Sequence, residues 1–242
     1  MSGFASFLKS RRHKTLDKDA SMNSFENVYF SGTTYSLWKG GRNVTSRYSQ
    51  GIVLDAGSGR GGWRDVILEN AEKREALDWQ ALEGEHLDWE ADLVNMPHVP
   101  SGRFDTVVCH QVLEHINEPG KAISELNRVL KSGGHLVVSV PHLSRLHELP
   151  HDYFRYTPNG IKFIAEQQGF EAVEIITYGG MLTFLHHQFS TIIIGLASIF
   201  RPLGLITIYL NAPLSWFSNF LDRFLDRKSY MPNGVIAVFR KK

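Results

Sequence analysis

The sequence predicts an α/β fold: a mostly parallel sheet of seven strands with helices on both faces, carrying an apolar helical insertion near the C-terminus. Three observations predict it. From residue 51 onward short apolar runs alternate with helical stretches, and repeated strand, helix, strand implies right-handed crossovers into a parallel sheet covered on both sides. The first of these runs ends in an acid followed by glycines at alternate positions, a junction that lets the backbone turn tightly and approach a ligand. The chain's 242 residues suffice for one large domain and leave little room for a second.

In chain order, Gly51 to Ala56 (GIVLDA) is the first expected strand, Trp79 to Glu83 (WQALE) the second and Phe104 to Cys109 (FDTVVC) the third. Pro119 to Lys131 is the clearest helix, with Ala122, Ile123, Leu126, Val129 and Leu130 on one face and Gly133-Gly134 closing the run. His135 to Val140 is the next strand, Ile161 to Gln168 a helix and Phe170 to Thr177 a strand. Asn233-Gly234 then introduces a last strand, Val235 to Phe239. The expected organisation is a single domain over 1–242: an N-terminal cap (1–48), a cofactor-binding core (49–180), a helical insertion (181–232) and the last strand (233–242).

Composition narrows the function. The formal charge of +1 supplies no global field for nucleic acid, so no such partner is expected. The basic start, Lys9 to Lys18, reads as a solvated leader. A lone cysteine, Cys109, excludes an internal disulfide framework and a cysteine-based zinc site, and nothing beside it would favour a thiolate. Charged residues follow the first apolar ones too soon for a signal peptide, so a cytoplasmic location is expected and the acceptor triplet Asn43-Val44-Thr45 is read as accidental.

The strongest motif is Val53-Leu54-Asp55-Ala56-Gly57-Ser58-Gly59-Arg60-Gly61. Counting Gly57, Gly59 and Gly62, it also satisfies the dinucleotide pattern, so alone it does not choose a cofactor. The Asp55 carboxylate tilts the choice, because it would repel a pyrophosphate and tolerate a sulfonium and an ammonium. Glu83, at the end of the second expected strand, is the candidate acid for ribose hydroxyls.

Taken with Asp92-Leu93-Val94-Asn95-Met96-Pro97, Phe104 through His115 and Leu130-Lys131-Ser132-Gly133-Gly134, the motif resembles the class I S-adenosylmethionine-dependent methyltransferases, type 11-like, over about Val53 to Val140. The resemblance implies a Rossmann-like core with S-adenosylmethionine as cofactor. It places Asp55, Gly57, Gly59, Gly61 and Glu83 around that cofactor, Asp92 at the adenine amino group, Leu93 against the ring, and His110 and Gln111 at the methionine end. The stretch His142, His147, Glu148, Pro150 to Thr157 also looks like a subgroup signature and is expected to wall the acceptor site at the carboxyl edge of the sheet.

Methyl transfer from a sulfonium is an in-line displacement in which positioning does most of the work. An oxygen or carbon acceptor needs a base, for which His151 is the first candidate, then His115 and His142. A metal site built from His142, His147, His151 and Asp152 is not expected, since no H-E-x-x-H helix is present and Pro141 and Pro150 favour loop. The resemblance also implies that the N-terminal aromatics Tyr29, Phe30, Tyr35 and Trp38 cover the cofactor or acceptor pocket.

Met181 to Leu225 departs from a minimal enzyme of this kind. Phe189 to Phe200 is nearly free of charge, but Arg201-Pro202 ends that run well before the roughly 20 residues a membrane span requires. Leu214, Phe217, Phe220, Leu221, Phe224 and Leu225 form an apolar helical stripe, for packing over the sheet, against a second subunit in a homo-oligomer, or on a membrane surface. The expected function is S-adenosylmethionine-dependent methyl transfer to a small molecule, glycan or lipid-linked intermediate. Two alternatives stand: a catalytically inactive cofactor-binding relative, and a nicotinamide-dependent oxidoreductase, although no Tyr-x-x-x-Lys pair is present.

Overall fold

The computed structural model describes residues 24–242; the basic stretch Lys9 to Lys18 lies outside them. Seven strands form one sheet: β1 (Ile52–Ala56), β2 (Lys73–Asp78), β3 (Trp89–Glu90), β4 (Phe104–His110), β5 (Leu130–Pro141), β6 (Phe170–Tyr178) and β7 (Gly234–Lys241), in spatial order 3-2-1-4-5-7-6. Pairs β1–β2, β1–β4, β2–β3 and β4–β5 are parallel, and β7 runs antiparallel to β5. The helices are α1 (Phe25–Val28), α2 (Gly32–Tyr48), α3 (Arg64–Ile67), α4 (Pro119–Val129), α5 (Pro158–Gln167), α6 (Met181–Ala197) and α7 (Arg201–Leu225).

The chain divides into two compact units. One comprises Gly40–Thr177 and Gly234–Lys242; the other comprises the described residues up to Lys39 and Tyr178–Asn233.

In the larger unit, period-2 alternation decides the core. Leu54 and Ala56 of β1, Val107 and Cys109 of β4, Leu136, Val138 and Val140 of β5, and Val235, Ala237 and Phe239 of β7 face one cluster. Ala122, Ile123, Leu126 and Val129 of α4 and Ile161 and Ala165 of α5 close it. Alternate residues of the same strands, Val53, Val108, Val137, Ile236 and Val238, are buried as well, so both faces of the sheet are covered, as parallel sheets require.

Helix α4 begins with Pro119 at its first position, and α5 follows Thr157, whose hydroxyl accepts from Gly160 N at 3.0 Å. Two expected boundaries shift. Strand β5 starts at Leu130, before the glycine pair, so Gly133 (φ 76°) and Gly134 lie inside a strand rather than capping a helix. A Cβ on Gly134 would sit 2.9 Å from the carbonyl oxygen of Asp105, where the β4–β5 register slips, which is the close backbone approach that glycine in a strand serves. The second strand lies at Lys73–Asp78, not Trp79–Glu83.

In the smaller unit α6 and α7 form a helical hairpin. The Asp222 carboxylate of α7 accepts from Leu182 N and Thr183 N at 2.9 Å each and from Thr183 Oγ1 at 2.5 Å, satisfying donors that the first turn of α6 leaves open.

Candidate active site

The carboxyl ends of β1, β2, β3 and β4 converge on one edge of the larger unit, the edge where open α/β sheets bind ligands. The loop after β1 carries Gly57 (φ 76°), Gly59 (φ 51°) and Gly61 (φ 70°), all in the left-handed region that glycine enters without strain. Gly57 N and Ser58 N donate to Leu77 O, which ties the loop to β2. A Cβ on Gly57 would lie 2.4 Å from Val112 Cγ2, whereas one on Gly59 would meet nothing within 4 Å. Gly57 is thus required by packing, and Gly59 leaves open space above the loop.

Asp78 ends β2, and its Oδ2 accepts from Gly59 N at 2.8 Å. It therefore holds the strand-end position expected for Glu83, which is exposed in the following loop. The misreading has a physical cause: Lys73-Arg74-Glu75 opens the strand with residues of low strand propensity, although Ala76 and Leu77 behind them are buried.

Asp55 lies at the end of β1 as expected, but it is buried and forms an ion pair with Arg74 of β2, 2.6 Å between Nη2 and Oδ2. Burial pushes the Asp55 carboxyl above its usual range and the guanidinium opposes that shift. With its charge met by Arg74, Asp55 does not by itself discriminate between a sulfonium and a pyrophosphate.

Beyond β3, Leu93 is buried in the main core while Asp92 stays exposed, its Oδ1 accepting from Val94 N at 3.0 Å. At the end of β4, His110 is held between Thr45 Oγ1 (2.8 Å from Nε2) and Ser139 Oγ (2.9 Å from Nδ1), with the Trp63 ring 4.2 Å away. Burial drives its pKa down to about 3, so the imidazole is neutral. Gln111 takes φ 55°, an uncommon backbone for a side-chain-bearing residue; its N–H donates to Ser139 O and its Nε2 to Ser139 Oγ at 3.1 Å.

The chain after Gln111 turns through a short 3-10 helix, Leu113–His115, and the 142–157 segment is bound to it. Tyr153 N and Phe154 N donate to Glu114 O, and the Tyr156 hydroxyl donates to Leu113 O at 2.9 Å. Arg155 holds the segment's own shape through both oxygens of Asp152 and the carbonyls of Ser144 and Arg145.

The three candidate bases part company here. His151 is exposed, with Nδ1 3.1 Å from the Tyr153 hydroxyl. His142 has a buried Nδ1 without a hydrogen-bond partner among the described residues. His115 sits beside Glu114 and His147, its Nε2 3.8 Å from Glu114 Oε1 and its ring 4.8 Å from that of His147. Glu114 is the residue the sequence reading missed. Its side chain is fully buried, neither oxygen has a hydrogen-bond partner among the described residues, and desolvation raises its pKa to about 8. The only signal in the sequence was its adjacency to His115; its other neighbour, His147, is remote along the chain.

Comparison with known proteins gives a consistent family. A family model described as a methyltransferase domain matches residues 35–175. A probable S-adenosylmethionine-dependent methyltransferase of Mycolicibacterium smegmatis is 33% identical over 97 residues, 37% of this chain and 38% of the relative. One from Mycobacterium tuberculosis is 33% identical over 98 residues, 37% and 35% of the two chains. The match thus spans little more than a third of these relatives' length.

Among solved structures, the cyclase SpnF superposes with a TM-score of 0.59 at 19% identity, covering 84% of this chain and 81% of its own. An Archaeoglobus fulgidus S-adenosylmethionine-dependent methyltransferase gives 0.55 at 18% identity, with 84% and 91% covered. The Burkholderia thailandensis 1,6-didemethyltoxoflavin-N1-methyltransferase, solved with S-adenosylhomocysteine, gives 0.51 at 16% identity, with 86% and 85% covered.

Proposed function

Because the chain belongs to the class I S-adenosylmethionine-dependent methyltransferases, its methyltransferase domain matched over residues 35–175, we propose that it transfers the cofactor's methyl group to an acceptor held beside the 142–157 segment. The observation that carries this reading is the Asp78 carboxylate, fixed against Gly59 N at 2.8 Å beneath open space. An acid at that point can accept from both ribose hydroxyls. Asp92 and Leu93 take the adenine, and His110 and Gln111 lie toward the methionine end. The neutral His110 adds no positive charge that would oppose a sulfonium. On the acceptor side, Glu114, His115 and His147 form the polar cluster, and positioning of the acceptor opposite the sulfur supplies most of the rate.

Calorimetric titration with S-adenosylmethionine, S-adenosylhomocysteine and NAD tests the cofactor assignment. Micromolar binding of the first two, reduced at least about tenfold in Asp78→Ala and unchanged in Glu83→Ala, is the expected outcome. Binding of NAD alone would sink the proposal. Since one fold neighbour is a cyclase and fold does not license activity, turnover is the separate test against a cofactor-binding relative that transfers no methyl group.

We further infer that the acceptor is lipid-linked and reached from a membrane surface, with the protein on the cytoplasmic side. The buried positions of the α6–α7 hairpin are mostly small or hydrogen-bonding, with Ile194 and Ile208 the apolar ones among them, and its exposed positions are largely apolar. Between Glu174 and Asp222 the only Lys, Arg, Asp or Glu is Arg201. Buried positions of α7 include Gly204, Asn211, Ser215, Ser218 and Asp222, whereas Leu203, Leu210, Leu214, Trp216 and Phe224 are exposed. Small and hydrogen-bonding residues between helices with large apolar ones outside is the arrangement lipid favours. No helix among the described residues is long and apolar enough to cross a membrane, so contact would be interfacial.

A further inference from the structure

The cluster at Glu114 poses a problem of proton bookkeeping. His115 Nδ1 lies 2.6 Å from His151 O. A carbonyl oxygen only accepts, so Nδ1 carries the hydrogen and Nε2 presents a lone pair. His147 Nδ1 lies 3.2 Å from Arg145 O, which orients that ring in the same way. The Arg155 guanidinium, 3.5 Å from the same nitrogen, is the longer contact and already serves Asp152 and the Arg145 carbonyl. Both Nε2 lone pairs then face the Glu114 carboxylate, at 3.8 and 3.9 Å from Oε1. Two nitrogen lone pairs and a fully buried carboxyl group thus converge, and neither oxygen of that group has a hydrogen-bond partner among the described residues.

We propose that Glu114, His115 and His147 bind a divalent transition-metal ion of the zinc type. One oxygen and two imidazole nitrogens is a recurrent donor set for such ions, and a backbone carbonyl behind each ring is the usual outer support. The three donor atoms lie within 4.8 Å of one another. Ligands of a tetrahedral ion with bonds of about 2.1 Å stand roughly 3.4 Å apart, so closure by about half an ångström at the two Glu–His pairs and at most about 1.4 Å overall completes the set. Glu114 and His115 lie in one short turn directly after β4, while the 142–157 segment, bonded to that turn through Glu114 O and Leu113 O, carries His147. An ion so held keeps open positions at the carboxyl edge of the sheet. That deepens the methyltransferase reading and rests on it: the acceptor class is one with an oxygen able to join the ion's coordination sphere.

The test is calorimetric titration of chelator-stripped protein with zinc chloride, together with Glu114→Gln and His147→Ala variants and S-adenosylhomocysteine titrations of every sample. We expect saturable uptake of about one equivalent by the unmodified protein and a weakening of at least tenfold in each variant, with S-adenosylhomocysteine affinity retained. No saturable uptake, or equal uptake by the variants, overturns the metal site. Retained S-adenosylhomocysteine binding beside absent zinc uptake would defeat this inference alone. Zinc uptake lost in the variants, in protein that never binds S-adenosylhomocysteine, would uphold the ion and defeat the cofactor reading instead. Circular dichroism of Glu114→Gln and His147→Ala establishes that each is folded, so that loss in either folded variant counts.

Discussion

At the scale of single residues, the glycine loop separates folding from binding. Gly57 and Gly59 share a left-handed backbone, but only Gly57 has a side chain, that of Val112, where its Cβ would go. Gly57→Ala therefore adds overlap to backbone strain and is expected to cost about 2–4 kcal/mol of stability, read as a lowered melting temperature. Gly59→Ala carries the strain alone, about 1 kcal/mol, while its methyl enters the open space above the loop. S-adenosylhomocysteine affinity should fall more than stability does. Equal stability losses in the two variants would show that the loop does not work this way. That Asp55 falls near the end of β1, and His110 and Gln111 at the end of β4, was legible in the sequence because each strand's apolar pattern is local. Asp78 was not, since which carboxylate ends a strand depends on where pairing with the neighbouring strand begins, and Lys73↔Ile52 sets that register. Glu114 was equally hidden: its burial comes from a segment that follows the next strand.

At the scale of elements, the β2–β3 edge is held by charge. Glu75 of β2 is buried and accepts from Arg103, Lys73 and the Trp89 indole, at 2.5, 2.8 and 2.9 Å. The Arg103 guanidinium, with lesser help from Lys73 and Trp89, outweighs burial and holds the Glu75 carboxyl at about 2, down from 4.5. A depressed acid stabilises the fold above its unfolded pKa, and that contribution is lost as pH falls from about 4.5 toward 2. The shift corresponds to about 3 kcal/mol as an upper figure, because Arg103 is one-third exposed and screened. Arg103→Met should move the acid-unfolding midpoint upward in pH and leave stability less sensitive to pH below 4.5. An unchanged midpoint in circular dichroism would mean the pair is energetically idle. Sequence periodicity predicted β1, β4, β6, β7, α4 and α5 within a few residues because each carries its own apolar pattern. It missed α2, and for β5 it read Gly133-Gly134 as a stop, since a glycine pair has the same local signature in a cap and at a strand irregularity.

At the scale of the whole molecule, the apolar exterior of the α6–α7 hairpin sets the remaining expectation. If it meets a bilayer surface, the protein should float with vesicles containing anionic lipid, and Leu210→Glu with Phe224→Glu should shift it to the unbound fraction. Both residues are about two-thirds exposed, so folding should survive, and equal recovery of both proteins in the unbound fraction would refute membrane contact. By itself the sequence determined the α/β class, the family and the glycine loop after β1, because these rest on patterns carried within a strand, a helix or one turn. The tertiary structure alone decided which acid stands at the end of β2, that Arg74 meets the charge of Asp55, that the stripe of α7 faces outward and not into the unit's interior, and that Glu114 meets His147. Each of these is a contact or an exposure between segments distant in sequence, where spacing carries no information until the chain is folded.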